Sequence, residues 1–348
     1  MVRNGMNPSW RRLAALGVAL AMAQVGAMAQ VGPAAARDDL FPGPAFSDPA
    51  AIVEMPEDWK SKPLKRVPAD ADISVVLDQQ IYPALLPFLQ EFASREHLKV
   101  AVQSGTCGIA SGGLGRRETD IGGYCCPPEK GDRLPGMKFH TIGITAIALI
   151  VNRDNPAENV TLDEARQIFS GKIRNWREVK GTPGKDMLNE SVSVATRLHC
   201  KSRPGHWRIL LDNADLFKRE AQDVGSIPDM VRAVSAQRNA IGYETNWHVA
   251  LHAPTSPTKV IKIDGFDPRD AEAVATLHYP VYEVMTLTTW EGAADNPAAD
   301  RLVAYLLSKA GEVGQVYGLV PVERLRQAGW KFSGAEVVGE PDRPAVTR

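Results

Sequence analysis

The chain is poor in sulfur and nearly devoid of net charge. It has four cysteines in 348 residues, and 40 basic residues balance 41 acidic ones for a formal charge of −1. No basic stripe interrupts that balance, which argues against a nucleic-acid partner. Past the N-terminal leader no run is long and apolar enough to span a bilayer. There is no C-x-x-C, so the usual sequence-local metal pair is missing, and no C-x-x-C-H for covalent haem. G-x-S-x-G and H-E-x-x-H are absent too, which removes two common hydrolase signatures. The GGxG run in SGGLGRR has the wrong spacing and position for a dinucleotide fingerprint. No internal repeat appears. What remains is an ordinary globular composition, 44% hydrophobic and 23% charged.

The N-terminus carries Arg3, Arg11 and Arg12, then an apolar run from Leu13 to about Met28 that ends in Ala27-Met28-Ala29. This pattern predicts a secretory signal peptide over 1–29, cleaved after Ala29. Arg11-Arg12 also admits a twin-arginine reading, which the context SWRRLAA fits poorly. No cysteine stands at the cleavage site, so a lipid anchor is not expected. Export to the periplasm would put the cysteines in an oxidising compartment, where disulfides are the default. Residues 30–71 are rich in Pro, Ala and Asp and read as a linker or loosely packed arm; 334–348 read as a flexible tail.

Between these ends, strand and helix patterns alternate. ISVVL (73–77), LKVAVQ (98–103), TDIGGY (119–124), TAIALIVN (145–152), SVSVATR (191–197), AIGYE (240–244), KVIKID (259–264) and YPVYEVMTLTT (279–289) read as strands. Helical spacing is clear in 81–96, 162–171 and the stretch beginning PAADRL, and weaker in 108–116, 206–217 and 228–239. This alternation predicts an α/β fold with mostly parallel sheets flanked by helices. Such sheets bind ligands at the carboxyl ends of their strands, in loops that lead into helix N-termini. All four cysteines sit on such loops: Cys107 in SGTCG, Cys125 and Cys126 in GGYCCPP, and Cys200 in TRLHCKSRPG.

The block LDEARQIFSGKIRNWREV (162–179), following VNRDNPAENVT, resembles the periplasmic phosphate-binding protein family. Leu162, Ile168, Phe169, Gly171, Lys172, Ile173, Asn175 and Trp176 all fit its helix, glycine turn and Asn-Trp pair. NAIGYE (239–244) and GTCGIASGGLGRRETDIGG (105–123) are similar to two further family motifs, so the resemblance covers roughly 72 to 320. It implies two lobes that close on a ligand, joined by two crossing strands, TAIALIVN and YPVYEVMTLTT. Lobe 1 would hold 72–146 and 284–333, and lobe 2 would hold 147–283. It also implies a monomer that serves an inner-membrane ABC transporter permease or a sensor kinase. The implied ligand loops carry Asp78 and Gln79, then Ser104 and Thr106, then Arg197 as the family's arginine with Ser202 as its nearby hydroxyl.

The departures from the family pattern are chemical. Asp78 stands where the family has small hydroxyl residues, and a carboxylate there repels a phosphate dianion unless protonated or turned away. Cys125 falls on the family's aspartate position, Cys107 on the variable position of the glycine loop, and Cys200 in the loop after the arginine. Two readings of the sulfur stay open. Structural disulfides are one, with Cys107 near Cys125 or Cys126. A thiolate site of Cys107, Cys125 and Cys200, with Cys126, His199 or His206 as a fourth ligand, is the other. It would suit trivalent arsenic or a soft metal ion. Haem on Cys126-Pro127 is a weaker third. The function expected is therefore a solute-binding protein, its ligand thiophilic (arsenite or a soft metal) or else phosphate or another oxyanion. A cysteine-dependent enzyme built on Cys200 and His199 is the alternative of another class.

Overall fold

The computed structural model describes residues 46–180, 189–198 and 210–342, all within one compact unit that spans Leu40–Arg348. Among them the strands are β1 (Ile73–Asp78), β2 (Val100–Gly105), β3 (Ile121–Tyr124), β4 (Met137–Asn152), β5 (Asn159–Val160), β6 (Ser193–Thr196), β7 (Gln222–Asp223), β8 (Ala240–Thr245), β9 (Thr258–Ile263), β10 (Tyr282–Trp290), β11 (Leu319–Pro321), β12 (Lys331–Ser333) and β13 (Glu336–Gly339). The first three helices are α1 (Glu57–Ser61), α2 (Tyr82–Glu96) and α3 (Cys107–Gly115).

The order β2-β1-β3-β10-β4-β8-β6-β7 runs through both lobes. Within each lobe the short strands are parallel: β1 with β2 and β3, and β6 with β7 and β8. The long strands are antiparallel. β4 pairs with β10 through its first half and with β8 and β9 through its second, so one 16-residue strand passes from lobe to lobe. Continuous β-branched runs suit such strands, which are covered on both faces; β1 and β10 are buried at every position. Leu85, Leu89 and Phe92 lie on one stripe of α2 and enter the core around Ile73 and Leu77. The second core gathers Ile147 to Val151, Ile168, Phe169, Trp176, Met230 and Val231.

Two expectations are corrected at the chain ends. The arm is docked from its first described residues onward. Trp59 Nε1 donates to the Gly115 carbonyl at 2.7 Å, Arg66 forks onto Asp120 at 2.8 and 2.9 Å, and Ser47 accepts from Arg133 at 2.9 Å. The expected tail is also ordered as far as it is described. β12 and β13 form a hairpin, and the Glu336 carboxylate takes a bidentate hold of Arg133 at 2.6 and 3.1 Å. Val320, Leu325, Trp330 and Val337 pack into the second core, while β11 pairs with Gly143–Thr145 and the hairpin bonds Thr141, so the segment up to 333, expected in lobe 1, touches both lobes. A third difference concerns the helix expected over 206–217. Its described part holds a single 3-10 turn, Ala214–Leu216, capped by Asn213.

Candidate functional site

Parallel register sets the site. Asp78 is level with Gly105 across β1 and β2, and Leu77 is level with both Ser104 and Gly123. The carboxyl ends of β1, β2 and β3 are therefore flush, and the residues that leave them meet. Gly123 allows this closeness, because a Cβ there would lie 2.5 Å from the Leu77 side chain. Thr106 follows β2 and caps α3 by accepting from the Ile109 amide, which leaves Cys107 as the first helical residue.

The meeting point is a buried cluster of sulfur and oxygen. Asp78 Oδ2 accepts the Cys107 amide at 3.0 Å and the Cys107 thiol at 3.4 Å, while Oδ1 accepts the Gln80 amide at 2.9 Å. Cys107 Sγ lies 3.5 Å from Cys125 Sγ and 3.9 Å from Cys126 Sγ, and accepts the Cys125 amide at 3.4 Å. Asp78, Cys107 and Cys125 each present one ligand atom, all within 4.8 Å of one another. Cys107, Cys125 and Cys126 are free thiols, so the disulfide expected between Cys107 and Cys125 or Cys126 is not formed. A sulfur separation of 3.5 Å is far beyond the ~2.05 Å of an S–S bond.

The second lobe supplies charge. Arg197 follows β6, is 1% exposed, and donates its amide to the Tyr243 hydroxyl at 2.9 Å. Its guanidinium reaches Glu244 Oε2 at 3.2 Å. The other Glu244 oxygen accepts from Gln80 Nε2 at 2.8 Å, which ties the two lobes together through the residue whose amide bonds Asp78. Glu283 on β10 is 2% exposed, and among the described residues neither of its oxygens has a hydrogen-bond partner.

Burial governs the protonation states. It pushes Asp78 well above the carboxylate range, reinforced by the neighbouring Cys107 and opposed by the Gln80 amide and Arg197. Glu283 is raised in the same way, by burial first and then by Glu244 and Asp78. Contact with Cys125 alone would lower the Cys107 thiol, but Cys126 and burial outweigh it and push it up to about 12. Cys125 is raised through its contacts with Cys107 and Cys126, and then by burial. Burial opposes the Arg197 charge, yet Glu244, Tyr243 and the other carboxyls hold its pKa above the ordinary value. The pocket thus favours the protonated forms of Asp78, Glu283, Cys107 and Cys125 and keeps one guanidinium beside Glu244.

The other expected site residues divide clearly. Gln79 is half-buried, and its amide donates to the Gly105 carbonyl at 2.9 Å. The Thr106 hydroxyl is engaged as a helix cap. Ser104 is exposed on β2 and does not join the cluster. Cys200 and Ser202, with His199 and His206, lie outside the described residues. Sequence reasoning missed Gln80, Glu244 and Glu283. The signal for Glu283 was present: one carboxylate in the apolar stretch YPVYEVMTL.

Two lobes bridged by long antiparallel strands, with a buried polar cleft at the parallel strand ends, define a periplasmic-binding-protein fold. The model of the PBP superfamily domain matches residues 65–310, and the chain belongs to that superfamily. The chain is similar to phosphate-binding protein PstS of Bacillus subtilis (strain 168), 24% identical over 62% of this chain and 68% of that protein. A putative phosphate ABC transporter substrate-binding protein with bound phosphate from Clostridium perfringens has the same fold. Its TM-score is 0.60 at 20% identity, over 72% of this chain and 99% of that one. An ABC-type phosphate transport receptor from Vibrio cholerae superposes with a TM-score of 0.58 at 19% identity, over 71% of this chain and 99% of that one. Among the described residues no helix is long and apolar enough to cross a membrane.

Proposed function

We propose that the chain is a periplasmic substrate-binding protein of an ABC transporter or sensor system, and that its cleft holds a thiophilic ligand through Cys107, Cys125 and Asp78. The triangle of two sulfurs and one carboxyl oxygen within 4.8 Å carries this reading. Its dimensions suit one soft or borderline ion, and thiols are the preferred donors for such centres. The charge inventory points the same way. Asp78, Glu244 and Glu283 are all buried in the cleft, against Arg197 as the guanidinium, and Glu244 is already on it. A phosphate dianion would find that guanidinium already engaged and would have to sit beside buried acids whose ionisation burial opposes.

The raised thiol pKa values favour a neutral ligand over a cation that must displace protons. A trivalent metalloid hydroxide condenses with two thiols, forming two metalloid–sulfur bonds and releasing two waters, with no net proton released. Arsenous acid is the simplest such species, and zinc or copper(I) the metal alternatives. Phosphate is the second reading, supported by the names of the relatives and by Arg197 at the end of β6.

Thermal shift and titration calorimetry on reduced full-length protein separate these readings. The expected result is stabilisation by arsenite that Cys107→Ser or Cys125→Ser removes. Stabilisation by phosphate that survives replacement of Cys107, Cys125 and Cys126 by serine would overturn the thiophilic reading and establish the second.

A further inference from the structure

Glu283 has no role in the cluster so far described, yet its place is unusual. It lies on β10, opposite Thr145 of β4, where the crossing strands join the lobes. Its neighbours Tyr282 and Val284 are core residues, and the side chain is 2% exposed. Neither oxygen has a hydrogen-bond partner among the described residues. Its electrostatic neighbours are Glu244, Asp78, Arg197 and Cys107, which are the walls of the cleft. A buried carboxyl without a partner costs on the order of 1–3 kcal/mol, so a chain that keeps one needs a use for it. Arg197 Nε is likewise buried and unpartnered among the described residues, so hydrogen-bonding capacity is left over on both sides of the cleft.

The cleft therefore has two poles, sulfur at Cys107 and Cys125 and oxygen at Glu283. A trivalent metalloid hydroxide has three hydroxyl groups. Two leave as water when two thiols bind, each taking a thiol proton, and one hydroxyl remains on the centre. We propose that Glu283 is a ligand-binding residue whose carboxyl group holds that remaining hydroxyl, so that the cleft prefers hydroxylated metalloids to bare soft cations. The inference rests on the thiophilic reading and adds the chemical class of the ligand. A carboxylic acid both donates and accepts, which matches a hydroxyl. A bare soft cation such as silver(I) is satisfied by two sulfurs and gains nothing from the oxygen pole.

Three probes test it on reduced full-length protein by calorimetry: arsenite, methylarsonous acid and silver(I). Methylarsonous acid has two hydroxyls, so none remains after two thiols bind. Glu283→Leu should weaken arsenite about tenfold or more, the loss of one buried hydrogen bond. Methylarsonous acid and silver(I) should bind it as they bind wild type, and Glu283→Gln should restore most of the arsenite affinity. Glu283→Ala serves if the leucine variant does not fold. Equal losses for all three probes would show a merely structural role and overturn the inference, as would unchanged arsenite binding. If wild type binds none of the probes, or Cys125→Ser still binds them, the thiophilic reading itself fails, and that outcome is distinct.

Discussion

The Glu244 carboxylate lies 3.2 Å from the Arg197 guanidinium, with both side chains buried, so the arginine that follows β6 already faces an internal carboxyl group. Glu244→Gln should free that charge. Breaking a buried pair costs roughly 3–5 kcal/mol, so the variant should melt well below wild type. Phosphate or sulfate should then raise its melting temperature while leaving wild type unmoved. A variant that gains nothing from either anion would show that Glu244 does not set ligand charge.

The described thiols should be slow to react. With Cys107 pushed up to about 12, its thiolate fraction at pH 8 is roughly one in ten thousand. Alkylation of native, reduced protein at pH 8, followed by peptide mass spectrometry, should leave Cys107 and Cys125 largely unmodified. Both should label fully in denaturant. Rapid native labelling of either would mean that its burial is not maintained in solution.

Stability should depend on pH in a direction opposite to that of most acidic groups. Asp78 and Glu283 keep their protons in the folded state above their ordinary values of 3.8 and 4.5. Their stabilisation is complete below those values and is lost as pH rises toward the folded pKa, at about 1.4 kcal/mol per pH unit per group. His248, pushed by burial from 6.5 down to about 4, acts oppositely between those values and is silent above 6.5. Urea midpoints should therefore fall as pH rises above 4.5, with His248 offsetting part of the slope up to 6.5. The double variant Asp78→Asn, Glu283→Gln should flatten that slope, and an unchanged slope would mean that other groups cause it.

The hairpin that closes the chain makes a further prediction. Glu336→Gln strands a 96%-buried Arg133 side chain and should cost ~3 kcal/mol in urea denaturation. Replacing both partners, Arg133→Met with Glu336→Leu, should recover most of that loss. No recovery would point to the Arg133 contacts with Ser47 as the larger contribution.

Much of this was legible in the sequence because its local signals agree with its global arrangement. The β-branched run at Ile73 and the glycine loop before Cys107 each place a strand end. Parallel pairing then makes those ends coincide, which is why Asp78, Cys107 and Cys125 could be expected together. β4 is longer than its apolar run because KFHTIG gains its strand character from pairing with β10, a long-range contact that local composition does not encode. Glu244 and Glu283 were hidden for a related reason. Glu244 reads as an ordinary polar position on a strand, and even the lone carboxylate Glu283 in its apolar run gains meaning only when the lobe arrangement turns both faces of those strands inward. The closing hairpin was missed because a lone Glu336 says nothing of the Arg133 that buries it.

Asp78, Cys107 and Cys125 all hang from the strand ends of one lobe, whereas Arg197 and Glu244 belong to the other. A ligand held by sulfur would therefore ride with a single jaw, and opening the cleft would break none of its sulfur bonds. Hinge motion alone could not unload it. Hand-over would need a competing thiol, or water returning its hydroxyls, to take the ligand in exchange, so release would follow the chemistry of the receiving partner more than the mechanics of the fold.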